Sequence, residues 1–523
     1  MEIMLPESPL AIIESRLRYL LPSEMYAEMW GNPSMEIMIR VHNHLRTLQR
    51  IIHDYTSRQI DVSQLKPGQV KTQWQYGTMM FTDLAGFTKL MEANAAKGRD
   101  GAENLLRELT KYFSTMISII SKSGGELVEF TGDAMLVVFE KKKEKNDDAQ
   151  RAVRAGLRMQ RAMKDFAEIQ TPSGIVNLQM RIGIHSGRFL TAEIGTPRRM
   201  EHVLLGKDVQ KAKLTESKGR NERVNISSSA YELAKDSFRF EAGEPEYHLV
   251  VDDLDADTLG DYEITPVGRR MASSVLFDLK DKKEVLNNIT ELLNSIEPLA
   301  SYIPDPVLSM LVESAADRKI RPDFPTPTIM FVNFIGLPES ADRALPGEER
   351  KLAVSFSKAF SLINAAVEAR GGVLKKVTYH LSGSDIVIYF GVPNAHTNNE
   401  MRAASAAVAI REVVETINLK APTVGGIKPE VYCQIGINMG PAFVAEVGDP
   451  RGRREFNVLG DTVNTAARLM NRAQKNQIVV SEAVRNAIEE KYECASLGEI
   501  SLKGKSKPLS LYELTGKKVK ETK

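Results

Sequence analysis

A run of short motifs in the first half of the chain returns, in the same order, in the second. Thr78-Met-Met-Phe-Thr-Asp83 comes back as Thr328-Ile-Met-Phe-Val-Asn333, and Gly124-Gly-Glu-Leu-Val-Glu-Phe-Thr-Gly-Asp133 as Gly371-Gly-Val-Leu-Lys-Lys-Val through Gly383-Ser384. Arg181-Ile-Gly-Ile-His-Ser-Gly187 matches Gln434-Ile-Gly-Ile-Asn-Met-Gly440, and Ala192-Glu-Ile-Gly195 matches Ala445-Glu-Val-Gly448. Leu205-Gly-Lys-Asp-Val209 then matches Leu459-Gly-Asp-Thr-Val463. Order and spacing preserved over this distance mean domain duplication, so the 523 residues should fold as two related domains with flanking segments.

Each copy opens on a strand, Thr78–Thr82 or Thr328–Val332. In the first copy Leu105, Leu109, Phe113, Ile117 and Ile120 then recur at helical spacing. Short apolar runs around Gly132 and Gly383 read as a hairpin, followed by an amphipathic helix (Ala149–Phe166, Arg402–Ile417) and a strand ending in Ile-Gly-Ile. This βαββαβ order predicts an α+β, ferredoxin-like unit with helices against a mixed or antiparallel sheet. Leu65-Lys-Pro-Gly-Gln-Val70 and Arg321-Pro-Asp-Phe-Pro-Thr-Pro327 punctuate the chain before the two units. Ahead of each linker lies a helical segment, His44–Ile60 and Ile289–Val312. Their apolar spacing fits packing on the domains or on each other, and equally a regulatory coiled segment through which two chains dimerise.

Composition narrows the function. A formal net charge of +1 gives no electrostatic reason to expect nucleic acid or an anionic membrane as partner. The two cysteines, Cys433 and Cys494, lack metal-ligand spacing, which fits a reducing compartment. The start, MEIMLPESPL, lacks the basic and apolar regions of a signal peptide, and no apolar run approaches the ~20 residues of a membrane span. A cytoplasmic location is expected.

Two carboxylates carry the candidate chemistry. Asp83, in Phe81-Thr-Asp-Leu-Ala-Gly-Phe-Thr88, ends a buried strand before a small-residue turn and a helix start. A strand-end Asp suits a divalent ion, and backbone N–H groups at Gly86, Phe87 and Thr88 suit phosphate oxygens. Asp133 follows Gly132 in a hairpin turn, where Gly-Asp is also ordinary turn chemistry; paired with Asp83 it makes a candidate two-metal site for phosphoryl or nucleotidyl transfer.

FTDLAGFT followed by FTGDAMLVVF resembles the metal-binding half of a class III adenylyl/guanylyl cyclase domain. NVLGDTVNTAARL (Asn457–Leu469), with Leu502-Lys-Gly-Lys505 and the Tyr-Glu-Leu strand after it, resembles the complementary half. The tandem arrangement is similar to the soluble, bicarbonate-responsive adenylyl cyclases. The resemblance implies a helical N-terminal region (1–71), a metal-binding cyclase domain (72–267), a helical linker (268–321), a second cyclase domain (322–517) and a basic tail (518–523). The two domains would pack as a pseudo-symmetric head-to-tail pair with the site between them. Asp83 and Asp133 would hold two Mg²⁺ or Mn²⁺ ions, Asn464 would orient the ribose, and Arg468 would neutralise charge at the α-phosphate. These last two are four residues apart, on one face of a helix. Lys376 falls at the base-reading lysine, with Lys375 as a register rival, and Asn457 stands where the family carries Asp or Thr. Its amide suits adenine by accepting or guanine by donating, so ATP is the expected substrate and GTP the alternative, with a catalytically silent nucleotide sensor as a third reading. Lys505 or Lys503 would reach the phosphates.

The losses are complementary. The second copy has Asn333 for Asp83 and Ser384 for Asp133, while the first has Gln210 for Asn464 and reads one residue shorter before Lys213 than the second does before Arg468. One complete site and one degenerate pocket are expected. Lys213 roughly takes the place of a bicarbonate-holding basic residue of the soluble type, but Glu129 replaces a second lysine there and repels anions.

Overall fold

A computed structural model describes residues 9–61, 66–142, 146–171, 173–259, 281–316, 320–379, 381–450, 452–500 and 508–518. The first half forms β1 (Lys71–Ala85), α2 (Phe87–Ala95), α3 (Gly98–Lys122), β2 (Glu126–Thr131), β3 (Ala134–Glu140), α4 (Asp148–Ala162), β4 (Gln179–Gly195), β5 (Met200–Leu205), α5 (Lys207–Ser217), β6 (Val224–Ser227), β7 (Phe240–Ala242) and β8 (Tyr247–Val250). Its sheet runs β2-β3-β1-β4-β6-β8-β7, with β5 paired to the far end of β4. The second half repeats this with β9 (Thr328–Ile335), α8 (Glu348–Glu368), β10 (Gly372–Tyr379), β11 (Ser384–Phe390), α9 (Asn399–Leu419), β12 (Tyr432–Met439), β13 (Phe443–Gly448), β14 (Arg454–Leu459), α10 (Asp461–Arg472), β15 (Ile478–Ser481), β16 (Tyr492–Ile500) and β17 (Leu509–Lys517). Its order, β10-β11-β9-β12-β15-β17-β16, is the same permutation. In both sheets one pair is parallel, β4 with β6 and β12 with β15, and the others are antiparallel. The expected βαββαβ unit is present twice, each followed by a hairpin arm (the far end of β4 with β5, and β13–β14) and by three more strands that extend the sheet.

Strand alternation divides the side chains of each sheet. Met80 and Leu84 of β1 point into a core with Leu105, Leu109, Phe113 and Ile117 of α3, and Met330, Val332 and Phe334 of β9 into a core with Phe356, Phe360 and Ile363 of α8. Each core also takes in an arm of the other half. Phe443, Ala445, Val447 and Leu459 of the β13–β14 hairpin complete the α3 core, and Leu190, Ala192, Ile194, Val203 and Leu205 of β4–β5 complete the α8 core. The halves are therefore a reciprocal pair, each closing the core of its partner.

The flanking helices differ in detail from the sequence reading. The first, α1 (Met35–Tyr55), starts earlier, where the Ser34 hydroxyl accepts from the Ile37 N–H at 3.3 Å. It stops sooner because Thr56 turns its hydroxyl back to the Ile52 carbonyl (3.1 Å). The segment expected as one helix over 289–312 is two, α6 (Lys282–Ala300) and α7 (Asp305–Ser314), broken where Pro304 and Pro306 cannot continue the ladder. Their apolar stripes, including Leu45, Leu48, Ile52, Leu293, Ile296 and Leu311, close on one another and on Ile329, Val387 and Tyr389 of the second sheet. A dimerising coil would need those faces outward; in this chain they form an internal cap. Leu293→Ala, at a fully buried position of α6, should destabilise the cap by about 2–5 kcal/mol, read as a lower urea midpoint for helix loss; an unchanged midpoint would contradict this packing.

Candidate active site

Asp83 lies one residue beyond Thr82, whose hydroxyl accepts from the Met135 N–H at 3.1 Å. That register, Thr82 opposite Met135, brings the end of β1 beside the turn carrying Asp133. Burial and then the charge of Asp83 push the Asp133 pKa up to about 7. The Tyr112 hydroxyl, fully buried on α3, has no hydrogen-bond partner among the described residues. Burial, then Asp133 and Asp83, hold its ionisation well above the usual range. Two crowded carboxylates suit a hard cation. The described residues contain no cluster of three or more His, Cys, Asp or Glu.

Sequence reading missed the support beneath Asp83. Arg181, directly across the β1–β4 register, donates to Asp83 Oδ2 at 2.8 Å and to Glu216 Oε1 at 2.5 Å. Glu216 is 1% exposed and also takes Lys213 Nζ at 2.9 Å. Lys213 thus belongs to the metal half's own scaffold, with its ammonium 5.7 Å from the Phe81 ring centre. The register of α5 also corrects the sequence alignment. A Cβ on Gly183 would meet the Glu216 nitrogen, and one on Gly436 the Met470 nitrogen; counted from Gly206 and Gly460, both are ten residues on. The two helices align without a gap, and Leu214, not Lys213, stands where the second half has Arg468. The signal available in sequence was the matched pair Asp83–Arg181 against Asn333–Gln434, both of which prove to be touching neighbours, the second through Asn333 Nδ2 and Gln434 Oε1 at 3.0 Å.

The turn after Asp83 leads into a helix as expected. Gly86 adopts φ +94°, and α2 starts with no side-chain cap, leaving its first N–H groups open. Thr88 is half-buried, while the Phe87 ring is 3% exposed in the α3 core, so Phe87 can offer only its backbone.

The second half reaches this site from across the interface. Lys376 Nζ donates to the Phe130 carbonyl, three residues before Asp133. Asn457 Nδ2 lies 3.5 Å from the Gly132 carbonyl. Lys375, the register rival, turns inward to Glu455 and the Phe456 carbonyl. The N-terminus of α10 abuts α2: a Cβ on Gly460 would meet Met91 Sδ at 2.5 Å. Asn464 is exposed and Arg468 half-buried, four apart on α10, and neither side chain forms a hydrogen bond or ion pair among the described residues. Lys503 and Lys505 lie outside the described residues.

The opposite pocket is closed. Asn333 and Ser384 are 1% and 2% exposed, whereas the Asp83 side chain is 39% exposed. Glu339 accepts from the Gly336 N–H (2.8 Å), the turn equivalent to Gly86. Asp342 Oδ2 accepts from the Lys207 N–H (2.6 Å) at the start of α5. Glu339 thus takes the N–H of the turn equivalent to the one after Asp83, and Asp342 ties the start of α5 to the second half.

The family model for the adenylate and guanylate cyclase catalytic domain matches twice, over residues 70–249 and 326–516. The chain belongs to that family. Within it, this cyclase-family protein is 24% identical to adenylate cyclase type 10 of Rattus norvegicus over 403 residues, 75% of this chain and 24% of that protein. It is 29% identical to adenylate cyclase 1 of Rhizobium meliloti over 191 residues, 36% of this chain and 27% of that one. The chain thus spans about a quarter of the length of these curated relatives. A crystal structure described as a class III adenylyl cyclase-like ATP-binding protein from Pseudomonas aeruginosa superposes with a TM-score of 0.54 at 13% identity, covering 86% of this chain and 92% of that one; the paired fold is shared. Among the described residues no helix is long and apolar enough to cross a membrane.

The raised Asp133 pKa predicts a pH dependence. Between its ordinary value of 3.8 and about 7 the folded metal-free protein holds a proton that the unfolded chain has released. This group's contribution to stability therefore declines as pH rises through that window. Cation binding needs the ionised form, so Mn²⁺ affinity measured by calorimetry should climb as pH passes 7, with proton release below it. A flat affinity from pH 6 to 8 would contradict the coupling.

Proposed function

We propose that the chain is a nucleotidyl cyclase that converts ATP to 3′,5′-cyclic AMP and pyrophosphate at one site between its halves, for intracellular signalling. The observation that carries this reading is the convergence of Lys376 and Asn457 from the second half on the turn that holds Asp133 in the first. The similarity to adenylate cyclase type 10 across three quarters of the chain supports ATP as substrate.

In this reading Lys376 and Asn457 hold the purine edge, and the open N–H groups of Gly86, Phe87 and Thr88 receive the phosphates. Asn464 orients the ribose so that its 3′-oxygen lies in line with the α-phosphorus. The 3′-hydroxyl releases its proton to solvent and its oxygen forms a bond to that phosphorus as the bond from phosphorus to the bridging oxygen breaks and pyrophosphate departs. Arg468, which has no acid partner among the described residues, lies ready to take the charge that builds on the α-phosphate oxygens. Asp83 and Asp133 would hold two Mg²⁺ or Mn²⁺ ions, which when bound supply activation of the 3′-hydroxyl and charge neutralisation at the phosphates.

A guanylate cyclase is the second reading, and one observation favours it. The Asn457 carbonyl oxygen faces the Val458 N–H (3.1 Å) and the Tyr389 hydroxyl (3.5 Å), leaving Nδ2 toward the first half as a donor suited to guanine O6. Purified protein with Mn²⁺ and either nucleotide, with products separated by chromatography, decides between them: cyclic AMP as the main product is expected, cyclic GMP as the main product would reverse the assignment, and neither product would sink the enzyme reading. Asp83→Ala and Arg468→Ala should each lower turnover by about 10²–10³-fold. Wild-type rates in either variant would contradict the site.

A further inference from the structure

Tyr112 keeps a hydroxyl where the core gives it nothing to bond. The side chain is 0% exposed on α3, and its oxygen has no hydrogen-bond partner among the described residues. The ring meets Phe113 and Phe166 edge-on, with centres 5.0 and 5.6 Å away, which holds the phenol in one orientation. The same core contains Leu84 and Phe87 beside the Asp83 turn, and Phe130 and Met135 beside the Asp133 turn. Tyr112 thus lies in the apolar layer beneath the paired carboxylates. Of the charges around its hydroxyl, Asp133 bears on it most and Asp83 next. An unpaired buried hydroxyl destabilises a fold, and phenylalanine would fill the same space without it.

The second half shows that packing does not require this hydroxyl. Gly124 and Gly371 follow the matching helices α3 and α8 at φ +69° and +70°. Counted back twelve residues from each, Tyr112 corresponds to Ala359, while its neighbour Phe113 corresponds to Phe360. The aromatic residue is kept and the hydroxyl is lost, in the half that also carries Asn333 for Asp83 and Ser384 for Asp133. Support for the two carboxylates is also unequal. Arg181 donates to Asp83 Oδ2 at 2.8 Å, whereas the hydrogen bond to Asp133 among the described residues comes from its own backbone.

We propose that Tyr112 is a positioning residue of the metal site, its hydroxyl donating to the Asp133 carboxylate when a divalent cation is bound. A carboxylate that holds a cation through one oxygen leaves the other to accept a hydrogen bond, and a donor fixed there sets the orientation of the ligand. The unpaired hydroxyl of the metal-free fold is then a donor set in place before its acceptor turns to meet it. The inference rests on the proposed metal pair and deepens it.

The test is Mn²⁺ binding to the nucleotide-free chain by calorimetry at one fixed pH, beside urea unfolding in EDTA. Tyr112→Phe should weaken Mn²⁺ about tenfold. It should leave the urea midpoint in EDTA unchanged or higher, because it removes only an unpaired hydroxyl. A tyrosine with a merely structural role gives the reverse, a lower midpoint with Mn²⁺ affinity intact. Tyr112→Leu, which also lacks the hydroxyl, supplies the Mn²⁺ comparison if Tyr112→Phe does not fold. Mn²⁺ affinity within about twofold of wild type, or a lower midpoint in EDTA for Tyr112→Phe, would overturn the proposal. So would Mn²⁺ binding that survives Asp133→Ala. A chain that makes no cyclic nucleotide, yet loses Mn²⁺ affinity in Tyr112→Phe, would strike the proposed function and leave this inference standing.

Discussion

The site exists because each half lends an arm to the other's core. Phe443, Ala445, Val447 and Leu459 are buried under α3, and Leu190, Ile194, Val203 and Leu205 under α8. At about 1.5–3 kcal/mol for each large apolar side chain buried, either arm alone anchors the interface firmly. The β14 strand that carries Leu459 into the first core also carries Glu455 and Asn457. The packing that stabilises the pair therefore sets Asn457 against the Asp133 turn.

A symmetric interface of this kind makes two pockets, and the chain has developed them in opposite directions. On one side Asp83 pairs with Arg181, which also holds Glu216, and α10 presents Asn464 and an Arg468 with no ion pair among the described residues. On the other, the same strand position holds Asn333 against Gln434, the turn glycine is capped by Glu339, and the helix start by Asp342. The carboxylate at the turn takes up its N–H, and both acids place negative charge in the pocket, which repels an anion. The second pocket is thus closed by contacts as specific as those that keep the first open.

Much of this was legible in the sequence, because a duplicated pattern constrains itself twice. The order of strands and helices followed from apolar periodicity, and the paired losses at Asp83/Asn333 and Asp133/Ser384 followed from setting the copies side by side. What escaped were contacts between positions far apart in the chain. Arg181 under Asp83 and Glu455 beneath Lys376 are ordinary charges until the sheet register and the interface bring them together. Lys213 was misplaced because a one-residue gap fits the letters as well as an ungapped helix does, and only the packing of Gly183 on Glu216 distinguishes them. The apolar stripes of α1, α6 and α7 were read correctly as needing a partner, but spacing alone could not say that the partner was the chain's own second sheet.

The central claim is that two like halves make one nucleotide site and not two. Native mass spectrometry of the intact chain titrated with 3′-deoxy-ATP and Mn²⁺ tests it most directly. A single nucleotide bound per chain at saturation is predicted. Two per chain would show that the pocket closed by Glu339 and Asp342 opens to substrate, and would contradict the account.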